Sequence, residues 1–181
     1  GKSRMAASTA EEVLRQLHEM LSRLGVGEVA LTGAQALGVW TVPRFTADVD
    51  LCAVVPLKSV DRLLAQYDGI RVGPEEVPSI IRIQFRGWQV DLFVAKSEYD
   101  LHCLERAVAT KVGEAEVRVV TPEDLIIHKL HKLKDDRRKL LQDAADLRLL
   151  ATTLGPRLDL DYLRKWLEPS DAELASRLAT L

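Results

Sequence analysis

Apolar residues recur at helical spacing from Ser8 to Leu24, with Val13, Leu17, Met20, Leu21 and Leu24 on one stripe. Ser8 with Glu11, or Thr9 with Glu12, can close a capping box at the start. Gly25 and Gly27 end the helix. Glu28–Thr32 then reads as a strand, followed by a turn at Gly33 and a short helix to Trp40. A second strand ends at Pro56, and Leu57–Tyr67 is a helix with Val60, Leu63 and Leu64 inward. Asp68–Pro78, rich in Gly and Pro, is a loop holding a short strand. Ser79–Ala95 alternates around an Arg86-Gly87 turn, as a hairpin does. Tyr99–Ala109 is expected to be helical, and Thr110–Val120 a hairpin turning at Gly113. Thr121 caps a further helix, with Pro122 in its first position. No Gly or Pro follows until Gly155-Pro156, so that helix should break near Asp135-Asp136. Asp159 or Asp161 then caps a helix carrying Leu163, Trp166 and Leu167. Pro169 is expected to end it, and Ser170 with Glu173 to open the last one.

Within this pattern the stretch Leu31–Val55 carries the chemistry. Asp48 and Asp50 lie two residues apart on a strand, so their carboxylates share one face while Val49 and Leu51 take the other. Aspartate is depleted in strands, and the run Leu51–Val55 that follows is apolar. Two like charges side by side there repel and lose hydration, so a compensating cation is implied. Magnesium suits, being a hard ion bound by one or two carboxylates together with substrate phosphates. Gly33, between an apolar strand and the helix-prone Ala34–Leu37, lets the backbone turn sharply. Unpaired N–H groups at the helix start favour a phosphate. A phosphate cradle beside a carboxylate pair suggests chemistry on a nucleoside triphosphate.

The bulk composition narrows the partners. A chain of 181 residues, 47% hydrophobic and 29% charged, can bury a single-domain core. Its net charge of −2 carries no overall nucleic-acid footprint, so any RNA contact would need a local basic patch. Cys52 and Cys103 do not make a disulfide framework, and Cys52 reads as a small core residue. No signal peptide or membrane-length apolar run is present, and a cytoplasmic location without membrane association is expected.

Several other residues invite two readings. Asp91 is a lone charge in an apolar strand, sharing a face with Gln89 and Phe93. It is either a third carboxylate of the site or a partner of Arg82 or Arg86 across the sheet. Arg44 is a solvated loop residue or a fork for a triphosphate. Thr46 is a site residue or an ordinary strand start, and Glu75 and Glu76 suit a solvated loop. His102 and Cys103 are neighbours on a helix and do not face each other, which removes Cys–His nucleophilic chemistry there. His128 and His131 share a helix face but lack a zinc pattern and read as surface residues. Lys129, Lys132, Asp136, Asp143 and Asp146 can form one helical stripe, which is ordinarily a solvated face.

Taken together, Gly33-Ala34 followed by Asp48-Val49-Asp50, with Asp91 on a later strand, resembles the nucleotidyltransferase superfamily of the DNA polymerase β type. Within it the chain is similar to the minimal AbiEii-like group, related to abortive-infection toxins. The carrying segments are Arg44-Phe45-Thr46-Ala47-Asp48-Val49-Asp50, Pro122-Glu123-Asp124-Leu125, Lys129, and Asp143-x-x-Asp146-Leu147. The resemblance spans Ala30 to about Leu150. It implies an α/β (α+β) nucleotidyltransferase fold: a mixed sheet flanked by helices. Residues 1–120 would form the core and 121–181 a helical portion packed on it. It implies transfer of a nucleoside monophosphate to an acceptor hydroxyl with release of pyrophosphate. Two Mg2+ ions would be held by Asp48, Asp50 and Asp91, with Asp91 as base or second-metal ligand. Gly33, Ala34, Arg44, Thr46 and Lys129 or Lys132 would hold the triphosphate, with Asp143 or Asp146 orienting the lysine. A toxin-type enzyme acting on the 3′ end of transfer RNA, with a cognate antitoxin, is further implied. Ala34 departs from the usual Gly or Ser and removes one hydroxyl contact. A degenerate domain that binds nucleotide or protein without turnover is the alternative, and a plain interaction protein a more distant one.

Overall fold

In the computed structural model of the chain, which describes residues 9–43, 46, 48–135 and 140–179, the sheet is laid out around the carboxylate strand. Helix α1 (Ala10–Arg23) leads to β1 (Gly27–Thr32), α2 (Gly33–Trp40) and β2 (Asp48–Val54). Next come α3 (Leu57–Gln66), β3 (Ile70–Val72), β4 (Ile80–Phe85) and β5 (Trp88–Val94). Helix α4 (Glu98–Arg106), β6 (Val108–Val112) and β7 (Ala115–Val119) precede α5 (Pro122–Asp135) and α6 (Leu140–Leu154). A short 3-10 turn (Gly155–Arg157), α7 (Leu160–Trp166) and α8 (Pro169–Ala179) complete the order. The mixed seven-stranded sheet has the order β3-β4-β5-β2-β1-β7-β6, and β2 lies at its centre.

Two pairings position the site. β2 runs antiparallel to β1 and parallel to β5. The parallel register sets Asp50 opposite Asp91 and Asp48 opposite Gln89. Alternation along β2 is strict: Val49, Leu51 and Ala53 are fully buried, whereas Asp48 is exposed and Asp50 half-buried. The Arg86-Gly87 turn has both residues at positive φ (50° and 82°), the two-residue form that suits the twist of a β-hairpin. Helix α1 packs on β1 and β7, α3 on β4, and α4 on β1, while α5 meets α2, α6 and α7. A single cluster of buried apolar residues runs from Val13 through Leu51, Leu92 and Ile127 to Ala175. Among the described residues, no helix is long and apolar enough to cross a membrane.

The structure settles one local choice and differs from the sequence reading in two places. Thr9 and Glu12 form the capping box of α1, with Glu12 N–H donating to Thr9 Oγ1 at 3.2 Å. Helix α4 stops at Arg106 rather than Ala109, because β-branched Val108 enters β6 and pairs with Val119. Pro169 opens α8 instead of closing the helix before it. The N–H groups of Asp171 and Ala172 turn back to the Glu168 carbonyl, and proline suits a first helical position, which has no N–H partner to lose. The expected helix break is met by α5 ending at Asp135 and α6 starting at Leu140, while Asp136 and the basic residues Arg137–Lys139 lie outside the described residues.

Candidate active site

Gly33 joins β1 to α2 with φ +67°, a conformation that L side chains rarely adopt. A Cβ at this position would lie 2.8 Å from both Cβ and Cγ of Asp50. The glycine is therefore required twice, for the turn and for the room that Asp50 occupies. Trp40 Nε1 donates to the Val120 carbonyl at 2.9 Å, tying the far end of α2 to the junction of β7 and α5. At the entry to β2, Thr46 Oγ1 accepts from Asp48 N–H at 3.3 Å, and Gln35 Nε2 donates to the Asp48 carbonyl at 3.3 Å.

The third carboxylate, Asp91, is side by side with Asp50 on β5 and is also paired across the sheet. Arg82, its register partner on β4, donates from Nε to Oδ1 at 2.7 Å and from Nη2 to Oδ2 at 3.0 Å. The pairing expected across the sheet is therefore made with Arg82, and the register also sets Asp91 beside Asp50. The hydrogen bonds to Asp91, its charge, and the charges of Asp48 and Asp50 hold the Arg82 guanidinium above its ordinary pKa. The donor set is chemically right for a hard divalent cation, being carboxylate oxygens only, next to a glycine turn. Among the described residues, no three His, Cys, Asp or Glu side chains stand close enough together to hold an ion as they lie.

A cavity of about 190 Å3 separates this face from α5. Its walls include Gly33, Asp50, Phe93, Asp100, His128 and Lys129. Lys129 is 8% exposed, and its Nζ donates to Asp143 Oδ1 at 3.0 Å and Asp146 Oδ2 at 2.8 Å. Gln142 Nε2 donates to the other Asp146 oxygen at 2.8 Å. The stripe that reads as a solvated face is therefore a buried, paired triad at this point. Lys129 lies on the cavity wall. The side chain of Lys132 lies outside the described residues, as does Arg44. Ala34 stands in the first turn of α2, half-buried.

His128 is not a surface residue. It is half-buried, shares a 3.2 Å hydrogen bond with Thr32 Oγ1 through Nδ1, and places Nε2 3.8 Å from Cys103 Sγ. Only His131 of the two is exposed. Contact with Cys52 and burial raise the Cys103 thiol well above its ordinary pKa, so this pair offers no thiolate nucleophile. Cys52 is half-buried, packs against the core as expected and also lines the cavity. The sequence signal for His128 was present in its spacing: Leu125, His128 and Lys129 are neighbours on one helix face.

The first turn of α5 anchors the cavity. Asp124, fully buried, accepts from Tyr99 Oη (2.9 Å) and Tyr162 Oη (2.6 Å) on one oxygen and from Thr121 Oγ1 (2.8 Å) on the other. Buried Glu123 accepts from the Asp159 N–H at 2.9 Å. Both residues thereby hold α5 against α4 and α7.

Residues 21–177 match the family described as nucleotidyl transferase AbiEii toxin, type IV TA system. The chain belongs to the AbiEii nucleotidyltransferase family. It is accordingly a nucleotidyltransferase, and the family is one of toxin–antitoxin systems. Among solved structures, an antigenic nucleotidyltransferase-like protein from Paracoccidioides brasiliensis is 19% identical, with 93% of this chain and 91% of that chain covered and a TM-score of 0.52. The antibiotic-resistance factor ANT(2'')-Ia is 13% identical, with 95% and 91% covered and a TM-score of 0.56. These likenesses establish the nucleotidyltransferase fold. No curated protein matches the chain in sequence.

Proposed function

We propose that this AbiEii nucleotidyltransferase moves a nucleoside monophosphate from a nucleoside triphosphate to an acceptor hydroxyl, releasing pyrophosphate, with Asp48, Asp50 and Asp91 as its catalytic carboxylates. The observation that carries this reading is the register of Asp50 against Asp91 beside the Gly33 turn, across a cavity from Lys129. The three carboxylates would hold Mg2+, which when bound neutralises the triphosphate and the charge that develops on the entering and leaving oxygens. The Gly33–Ala34 turn offers backbone N–H groups to phosphate at the start of α2. Lys129 presents a cation aimed by Asp143 and Asp146 and needs no reorientation when an anion arrives. Thr46 sets the start of β2 and so the height of Asp48. Asp91 would act either as the base that takes the acceptor proton or as a ligand of the second metal.

The acceptor suggested by the toxin family is the 3′ end of transfer RNA, in the cytoplasm, with a cognate antitoxin as the controlling partner. The test is incubation with Mg2+, total transfer RNA and each α-labelled nucleoside triphosphate in turn, beside Asp48→Asn. RNA labelled by the wild type and not by the variant is the expected result. Label retained by Asp48→Asn removes the assignment of the carboxylates. Label on no RNA removes that acceptor.

A further inference from the structure

Arg82 belongs to none of the motif segments, yet it holds a carboxylate of this face directly. Its guanidinium takes both oxygens of Asp91 in a side-on fork, at 2.7 and 3.0 Å. Such a fork is the strongest arrangement an arginine offers a carboxylate, and it orients the group as well as neutralising it. The two partners differ in freedom. The Asp91 side chain is 14% exposed and its strand is paired on both sides; the Arg82 side chain is 39% exposed. Arg82 can therefore swing into solvent while Asp91 stays. With Arg82 seated, the three carboxylates and the one guanidinium sum to a charge of −2.

We propose that Arg82 and a divalent cation are alternative partners of Asp91, so that metal reaches this carboxylate only by displacing the guanidinium. This rests on the assignment of the carboxylates to metal. Arg82 is then a positioning residue with two consequences. It keeps Asp91 aimed and neutralised beside Asp50, where two bare carboxylates would repel. It also orders the loading of the site: the Asp48–Asp50 pair accepts metal first, and Asp91 joins after the fork opens.

The experiment is a titration of the full chain with Mn2+, following the loss of the free ion's electron paramagnetic resonance signal. Having to break a charge-assisted fork before the metal can bind corresponds to about tenfold in affinity. Arg82→Gln should therefore bind Mn2+ about tenfold more tightly than the wild type. Arg82→Met, a second neutral replacement, should show the same gain, and far-ultraviolet circular dichroism should match the wild type for both. In an Asp91→Asn background the gain should vanish. Unchanged or weaker Mn2+ binding in both neutral variants overturns the competition, as does a gain that persists with Asp91→Asn. Loss of Mn2+ binding in Asp50→Asn, with no effect of Arg82→Gln, keeps the metal assignment and removes only the competition. No Mn2+ uptake by the wild type or by Arg82→Gln removes both.

Discussion

Lys129 and Asp146 form a buried ion pair at 2.8 Å, on helices whose intervening residues include the most basic run of the chain. The lysine is 10% and the aspartate 2% exposed in their side chains, and Asp143 completes the grip at 3.0 Å. Burial changes what the pair means. A solvated charged stripe tolerates substitution, whereas removing one partner of a buried pair strands the others without compensation. Lys129→Met leaves two buried carboxylates side by side and should cost about 3–5 kcal/mol of stability. Urea denaturation measures it; a loss under about 1 kcal/mol would mean that the triad behaves as an exposed one.

Gly33→Ala tests the turn. The backbone conformation alone costs a side chain about 1–2 kcal/mol, and the added methyl meets Asp50. The variant should fold with reduced stability and lose most of its transfer activity, because Asp50 has to move. Full activity would show that Asp50 reaches its working position from elsewhere.

The Asp124 hub should appear in the pH dependence of stability. Burial first, and then the charge of Asp124 and hydrogen bonding to it, raise the Tyr99 hydroxyl above its ordinary pKa of 10.0. Burial and the Asp124 hydrogen bond do the same for Tyr162. Both groups stay protonated in the folded chain after the unfolded chain has lost its protons. Their contribution is complete below about pH 10 and falls as pH rises above it, by about 1.4 kcal/mol per pH unit for each tyrosine. Urea denaturation of the wild type and Tyr99→Phe between about pH 9 and 11 isolates one of them. The wild type should lose stability more steeply; equal slopes would mean that Tyr99 ionises as freely folded as unfolded.

Glu123→Ala removes the acceptor that holds the start of α7. The Asp159 N–H is left without its carboxylate, and a hydrogen bond to a charged group is worth about 1.5–3 kcal/mol. Stability should fall in that range while Mn2+ binding by the folded protein is kept. Loss of metal binding in a well-folded Glu123→Ala would tie α7 to the site directly.

Much of this was legible from period and punctuation. The two-residue alternation around Val49, Leu51 and Ala53 forced Asp48 and Asp50 onto one face, because a strand allows nothing else. Gly33 announced its turn by its place between an apolar strand and a helix-prone run. What escaped was set by tertiary register. The partner of Asp91 could be named only as Arg82 or Arg86, and the pairing of β4 with β5 decided it. His128 reads as exposed because its spacing places it on a helix face with Leu125 but does not say what covers that face. The Thr32 and Cys103 side chains that cover it come from elements far away in the chain. Glu123 and Asp124 carry the ordinary charge preference of a first helical turn, which conceals that both reach other helices.

The order of these parts along the chain sets when they can come together. Both carboxylate strands have left the ribosome once residue 94 is out. The lysine of the cavity wall follows at position 129, but its two aspartates arrive only with α6. A partly made chain can therefore build the acidic face without an aimed cation opposite it. The acidic face and the paired lysine across the cavity are therefore completed at separate stages of synthesis.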